Sequence, residues 1–243
     1  MIDAPGTVRS RRLRWFPLAV VFASLLPATR PAFAVCPPLF DGYISSFGTA
    51  PGQIRYPNGL ATDAAGRIYV TDPAGEFVHV FEADGTFVTR WGGFGGGLGQ
   101  FNELVNLTVH GNYVYAVELD GCRVQFFTLS GGIVGAIGGS GSTDGRFLAP
   151  RGVGIGPTGT IYVADTGNDR IQYFTSQGAY LGQWAIEDPF DVDTDDAGDV
   201  YVVSHVGNIH RFDSVGNPVA VWSGSIYGGL HQPFGLDVAN GYV

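Results

Sequence analysis

Residues 161–184 read IYVADTGNDRIQYFTSQGAYLGQW, and four of their landmarks decide the fold: Tyr162, Phe174, Gly178 and Trp184. The tyrosine returns as Tyr69, Tyr115 and Tyr201, with spacings along the chain of 46, 47 and 39 residues. The phenylalanine aligns with Phe81, Phe127 and Phe212, each followed four residues later by Gly85, Gly131 or Gly216. Six residues beyond those glycines stand Trp91, Ile137 and Trp222. Four landmarks held in step across four units define an internal repeat, and a period of about 40 to 50 residues is that of a propeller blade.

Within one unit, Gly59–Thr62, Arg67–Thr71, Val78–Phe81 and Thr86–Trp91 are enriched in β-branched and aromatic residues and separated by turns containing Asp, Ala and Gly. That composition builds strands rather than helices. Each unit is therefore expected to be a four-stranded meander. Such a sheet cannot bury both faces alone, so neighbouring units must stack face to face about an axis, giving an all-β propeller of four-stranded blades. The recurring Tyr, Phe and Trp side chains become packing between blades. About four blades are expected, with partial units at either end.

Ala149-Pro150-Arg151-Gly152-Val153, followed by Ile161-Tyr162-Val163-Ala164-Asp165-Thr166-Gly167-Asn168-Asp169-Arg170-Ile171-Gln172, resembles the NHL repeat. Glu118, Arg123, Val124 and Gln125 keep part of the pattern. Asp72 is instead followed by Pro73, Phe77 stands at the arginine position, and Ser204 at the aspartate position. The resemblance implies a propeller, commonly of six blades. It also implies that Asp165, Asn168 and Arg170 tie a loop to its own sheet through charge-assisted hydrogen bonds, rather than forming an active site.

At the N-terminus, Arg9, Arg11, Arg12 and Arg14 flank an apolar stretch from Trp15 to Ala28, and Ala32-Phe33-Ala34 offers a small-residue cleavage pattern. Residues 1–34 thus read as a secretory signal peptide. Residues 35–50 are expected to hold a strand that closes the last blade, because Gly42–Phe47 resembles the outermost strand Thr86–Trp91. Residues 51–243 form the blades, and Leu236–Val243 aligns with Leu107–Val114, so the array is expected to stop within a fifth unit.

The chain has 13 arginines and no lysine against 22 acidic residues. Without the first 34 residues, 8 arginines face 21 acidic groups, a formal charge of −13. Nucleic-acid affinity rests on cations that neutralise phosphates, so this balance argues against DNA or RNA as a partner, and equally against an anionic membrane surface. The two cysteines, Cys36 and Cys122, have no metal or redox spacing; an oxidising compartment would permit them to pair, and two unpaired thiols fit as well.

No His-Glu-x-x-His, Gly-x-Ser-x-Gly or phosphate-binding loop ahead of a helix is present. The glycine run Gly92–Gly99 reads as a flexible connection between blades. His79 and His210 align with Gln172 in the third strand of a unit, away from the axis, while His110, His205 and His231 fall in turns or loops. Asp191 and Asp193 align on an innermost strand beside Asp237 of the next unit. These three carboxylates form a candidate calcium site in the channel, the one cofactor the sequence suggests. Asn58, Val105, Arg151, Phe190 and Phe234, each just after its unit's first landmark, are expected to ring the channel entrance as candidate ligand contacts.

The function expected from these features is that of an exported, non-enzymatic module, monomeric at full length, which binds a protein, peptide or glycan outside the cytoplasm. The competing expectation is a metal-dependent lyase or lactonase of the six-bladed type, similar to the peptidyl-hydroxyglycine lyases. That activity requires a convergent set of ligands.

Overall fold

The computed structural model describes residues 44–223 and 235–238. The chain divides into two units, Met1–Tyr43 and Ile44–Val243. Residues 1–34, expected from their sequence to be a signal peptide, together with Cys36, His231 and Phe234, lie outside the described residues.

Two short strands, β1 (Ser46–Phe47) and β2 (Gln53–Ile54), pair in parallel and precede four blades. Blade one comprises β3 (Leu60–Thr62), β4 (Ile68–Asp72), β5 (Phe77–Phe81) and β6 (Phe87–Gly92). Blade two comprises β7 (Leu104–His110), β8 (Tyr113–Glu118), β9 (Arg123–Thr128) and β10 (Ile133–Gly138). Blade three comprises β11 (Gly152–Ile155), β12 (Ile161–Asp165), β13 (Arg170–Phe174) and β14 (Tyr180–Ala185). Blade four comprises β15 (Pro189–Thr194), β16 (Val200–Ser204), β17 (Asn208–Phe212) and β18 (Pro218–Ser223). Each is an antiparallel meander in chain order, as the repeat predicts.

The landmark residues hold the blades together. Trp91 lies 6.1 Å from both the Tyr69 ring of its own blade and the Phe127 ring of the next, and Trp184 sits in the same way between Tyr162 and Phe212. The aligned glycines roof these side chains. A Cβ on Gly131 would stand 2.6 Å from the Trp91 ring and one on Gly216 2.5 Å from Trp184, while φ near +90° at both turns also demands glycine. Tyr69, Phe81, Phe127, Ile161 and Ile171 are completely buried in the layers so formed.

The same contact corrects the N-terminal alignment. Gly85, the glycine of blade one, is backed by Ile44. Ile44 rather than Phe47 is therefore the counterpart of Trp91, three residues from the expected match. Phe47 is 74% exposed and pairs with Ile54 in the way Phe94 pairs with Phe101 and Ser140 with Phe147.

Nor is the glycine run a slack connection. Gly95 N–H donates to Phe101 O and Phe101 N–H to Gly93 O, and Gly141, Phe147 and Gly139 repeat both bonds in the next loop. Phe101 and Phe147 are driven into the core as fully buried plugs. Every outermost strand carries a β-bulge, at Val88, Val134, Leu181 and Val219. An unpaired residue there twists the free edge and disfavours pairing with another sheet.

Candidate functional site

In the meander topology, the turns from second to third strand and the loops from one blade's outer strand to the next blade's inner strand share one end of the channel. Most polar chemistry at this end is committed to holding those loops. Asp165, fully buried, accepts from Leu148 N–H (2.8 Å), Asn168 Nδ2 (2.9 Å), Arg170 Nε (2.7 Å) and Gln172 Nε2 (2.9 Å). Arg170 Nη2 reaches on to Thr143 O and Arg146 O, and Gln172 Oε1 receives Gly145 N–H, so the preceding loop is clasped to blade three. Glu118, Arg123 and Gln125 build the same clasp over Gly96, Gly97, Gly99 and Gln100. The structural role expected for Asp165, Asn168 and Arg170 is the role observed.

Blade one keeps the carboxylate and loses its partners. Phe77 replaces the arginine and His79 the glutamine, leaving the buried Asp72 carboxylate, among the described residues, one hydrogen bond, from Tyr56 N–H at 3.2 Å. His79 is fully buried among Phe77, Phe81 and Phe87; neither ring nitrogen is hydrogen-bonded, and Nε2 lies 4.0 Å from Asp72 Oδ2. Burial pushes the imidazole down to about 4, against a smaller upward pull from Asp72. The unfolded chain takes up this proton from about pH 6.5 downward and the folded chain only from about 4, so acid favours unfolding between those values. His79→Gln is expected to restore the glutamine's share of the clasp and raise stability, with a gain over wild type that widens as pH falls through that window and exceeds about 1 kcal/mol at its lower end. Chemical denaturation of both proteins at pH 7.5, 5.5 and 4.5 measures the difference; a pH-independent gap would contradict this role.

The inner strands show how the channel wall is made. A Cβ on Gly152 would lie 2.6 Å from Asp191 Cα, and one on Gly59 2.9 Å from Asn106 Cα, so these glycines admit the next blade's backbone. Asn106 Nδ2 donates to Asp191 Oδ1 across 3.1 Å. Asp191 also accepts Val192 N–H and, through Oδ2, Leu236 N–H at 3.0 Å. Asp193 accepts Thr194 N–H and Val238 N–H, at 2.8 and 2.7 Å.

Burial pushes Asp191 up to about 7 and Asp193 up to about 6, the latter also under the charge of exposed Asp237. Two of the three carboxylates of the candidate calcium site, Asp191 and Asp193, thus fasten residues 235–238 to blade four, while Asp237 lies exposed within that segment. Asp191 and Asp193 direct oxygens at backbone N–H groups rather than at a common centre. Among the described residues no three His, Cys, Asp or Glu side chains are grouped to hold a metal.

At the channel entrance Asn58 is exposed, while Val105 and Phe190 are buried to 8% and 9% exposure. Both buried residues occupy β-bulges of inner strands: Leu104 and Asn106 pair with Glu118 and Val117, and Pro189 and Asp191 with Ser204 and Val203, leaving the residue between unpaired. A bulge turns a side chain out of the regular alternation, a displacement that strand periodicity cannot show. Arg151, half-buried, holds its guanidinium 4.9 Å from the Phe190 ring centroid, and the His205 ring lies tilted against that ring with centroids 4.2 Å apart. His205 Nδ1 lies 3.4 Å from Asp188 Oδ2. The structure therefore brings Arg151 and Phe190 together, with His205 and Asp188 as members the sequence reading missed.

The sequence pattern of the NHL repeat matches residues 147–174, the stretch that contains the blade-three clasp. NHL repeat-containing protein 3 of Homo sapiens is 26% identical over 144 residues, 55% of this chain and 39% of that protein. A streptogramin B lyase structure superposes with a TM-score of 0.55 at 15% identity, over 67% of this chain and 53% of that one. A gluconolactonase from Xanthomonas campestris superposes with a TM-score of 0.53 at 19% identity, over 68% and 61%. At these identities the structural likeness concerns the fold, which is that of a β-propeller. The chain spans roughly two fifths of the human relative and about half of the lyase.

Proposed function

The chain is an NHL-repeat β-propeller, and from that premise we propose that it is an exported binding module whose recognition surface is the channel end where the inner strands begin. The observation that carries this reading is a division of labour among polar groups. The clasps at Glu118 and Asp165 are consumed by the fold, whereas the bulges at Val105 and Phe190, exposed Asn58 and the Arg151 guanidinium are gathered at the entrance. Exposed Tyr56, Phe94, Leu98 and Leu148, on the loops of the same end, add apolar contact area. The partner class is an extracytoplasmic protein, peptide or glycan, consistent with the N-terminal export pattern and the acidic balance of the chain.

The test is ligand capture on the immobilised protein, comparing Tyr56→Lys and Asn58→Lys at this end with Val88→Lys on the outer rim. Loss of the captured partner by more than tenfold in the first two, with retention in the third, is the expected result. Capture that survives both end substitutions would place recognition elsewhere. Metal analysis of the dialysed protein separates this reading from the lyase or lactonase alternative, which requires a stoichiometric ion held by converging ligands.

A further inference from the structure

Among the described residues two arginines, Arg55 and Arg151, donate no side-chain hydrogen bond; the Arg55 Nε is buried, whereas Arg151 is half-buried at the channel end. Arg67, Arg123, Arg170 and Arg211 are each paired with a carboxylate, and Arg90 and Arg146 donate to backbone carbonyls. The contact of Arg151 is the face of Phe190. A guanidinium held over a ring by a cation–π contact keeps N–H groups available, and these match a carboxylate in a two-bond fork. The support is itself braced, because Phe190 has His205 on it at 4.2 Å and Thr166 Oγ1 fixes the neighbouring Pro189 carbonyl at 2.7 Å. Blade three supplies the cation and blade four its platform, so the site depends on correct blade stacking.

Arg151 does not lie in a cationic field. Glu103 is near enough to feel its charge, and Glu103 and Asp120 lie close enough to raise the Glu103 carboxyl, after the effect of burial. Asp188 borders the His205 side of the stack. These carboxylates repel a multiply charged anion such as phosphate, while leaving a single carboxylate on Arg151 tolerable when a positive group accompanies it.

Resting on the binding-module reading, we propose that the Arg151–Phe190 stack is the subsite for a zwitterionic ligand: its carboxylate pairs with Arg151, its ammonium faces Glu103, and its apolar body covers the channel mouth. A free α-amino acid has this chemistry.

The experiment is titration calorimetry of the full chain with three probes that share a phenyl ring: phenylalanine, benzoate with the carboxylate alone, and benzylamine with the ammonium alone. Phenylalanine is expected to bind at least tenfold more tightly than either of the others, and inorganic phosphate more weakly still. Arg151→Met, which keeps packing on Phe190, is expected to lower phenylalanine affinity at least tenfold with an unchanged unfolding midpoint; Arg151→Lys falls between. Equal binding by wild type and Arg151→Met, or no heat from phenylalanine at millimolar concentration, overturns the assignment. If Arg151→Met binds phenylalanine normally while Asn58→Lys abolishes partner capture, the recognition surface stands and only the zwitterion subsite falls. If capture also survives the substitutions at this end, both readings fall.

Discussion

Replacing Asp165 with alanine is expected to cost about 3–5 kcal/mol, the range for breaking a buried ion pair by removing one partner. The carboxylate is fully buried and collects donors from three side chains and one backbone N–H. Its removal leaves the Arg170 guanidinium, with a side chain only 10% exposed, holding carbonyl dipoles but no counter-charge, and leaves Asn168 and Gln172 with donors unspent. Asp165→Asn keeps the shape and an oxygen acceptor, so it is expected to lose less, and the gap between the two variants measures what the hydrogen bonds contribute without the charge. Urea denaturation followed by tryptophan fluorescence reads both, since Trp184 lies in the same blade. A loss below about 1 kcal/mol for the alanine variant would show that the clasp is a surface ornament, as solvent-exposed ion pairs commonly are.

Phe147→Ala is the second large expected effect, also about 3–5 kcal/mol, the usual cost of deleting a buried phenylalanine. Phe147 is fully buried, stands edge-on to Phe174 at 5.7 Å and fits closely beneath Gly138, where an added Cβ would come within 2.5 Å of the ring. Truncation opens a cavity under a loop whose backbone cannot follow, because Phe147 N–H and C=O are bonded to Gly139 and Gly141. The unfolding midpoint should fall, and limited proteolysis should begin within residues 139–147 before the rest of the chain is cut. If this segment were only a tether, the substitution would change stability by less than about 0.5 kcal/mol, the range for surface changes away from structural features.

Both effects follow from features that the sequence revealed to different degrees. The Asp165 clasp was legible through the resemblance to the NHL repeat, which implied the tie for Asp165, Asn168 and Arg170; the part played by Gln172 came from the structure. The plug at Phe147 was hidden inside a glycine-rich run, whose composition indicates backbone freedom and says nothing of what that backbone folds around. The N-terminal match illustrates the same limit. A weak similarity put Phe47 opposite Trp91, whereas packing beneath Gly85 selects Ile44. Strand similarity tolerates a shift of three residues, but a buried contact does not.

The channel residues divide along the same line. Alignment placed Asp191 and Asp193 on an inner strand, where β15 holds them, and Arg151 and Phe190 at the starts of inner strands, beside β11 and within β15. It could not assign their partners: Asn106 lies 85 residues from Asp191 and Leu236 lies 45 residues beyond it. By itself the sequence determined the blade, its four strands and the residues between blades, because periodicity and turn chemistry are local, and its resemblance to the NHL repeat implied the structural clasp. Only the tertiary structure decided that the glycine loops are plugged, that inner carboxylates fasten residues 235–238, and that bulges bring Phe190 beneath Arg151. Those outcomes depend on which blade faces which across a channel, and on single-residue register shifts that a repeating pattern averages away.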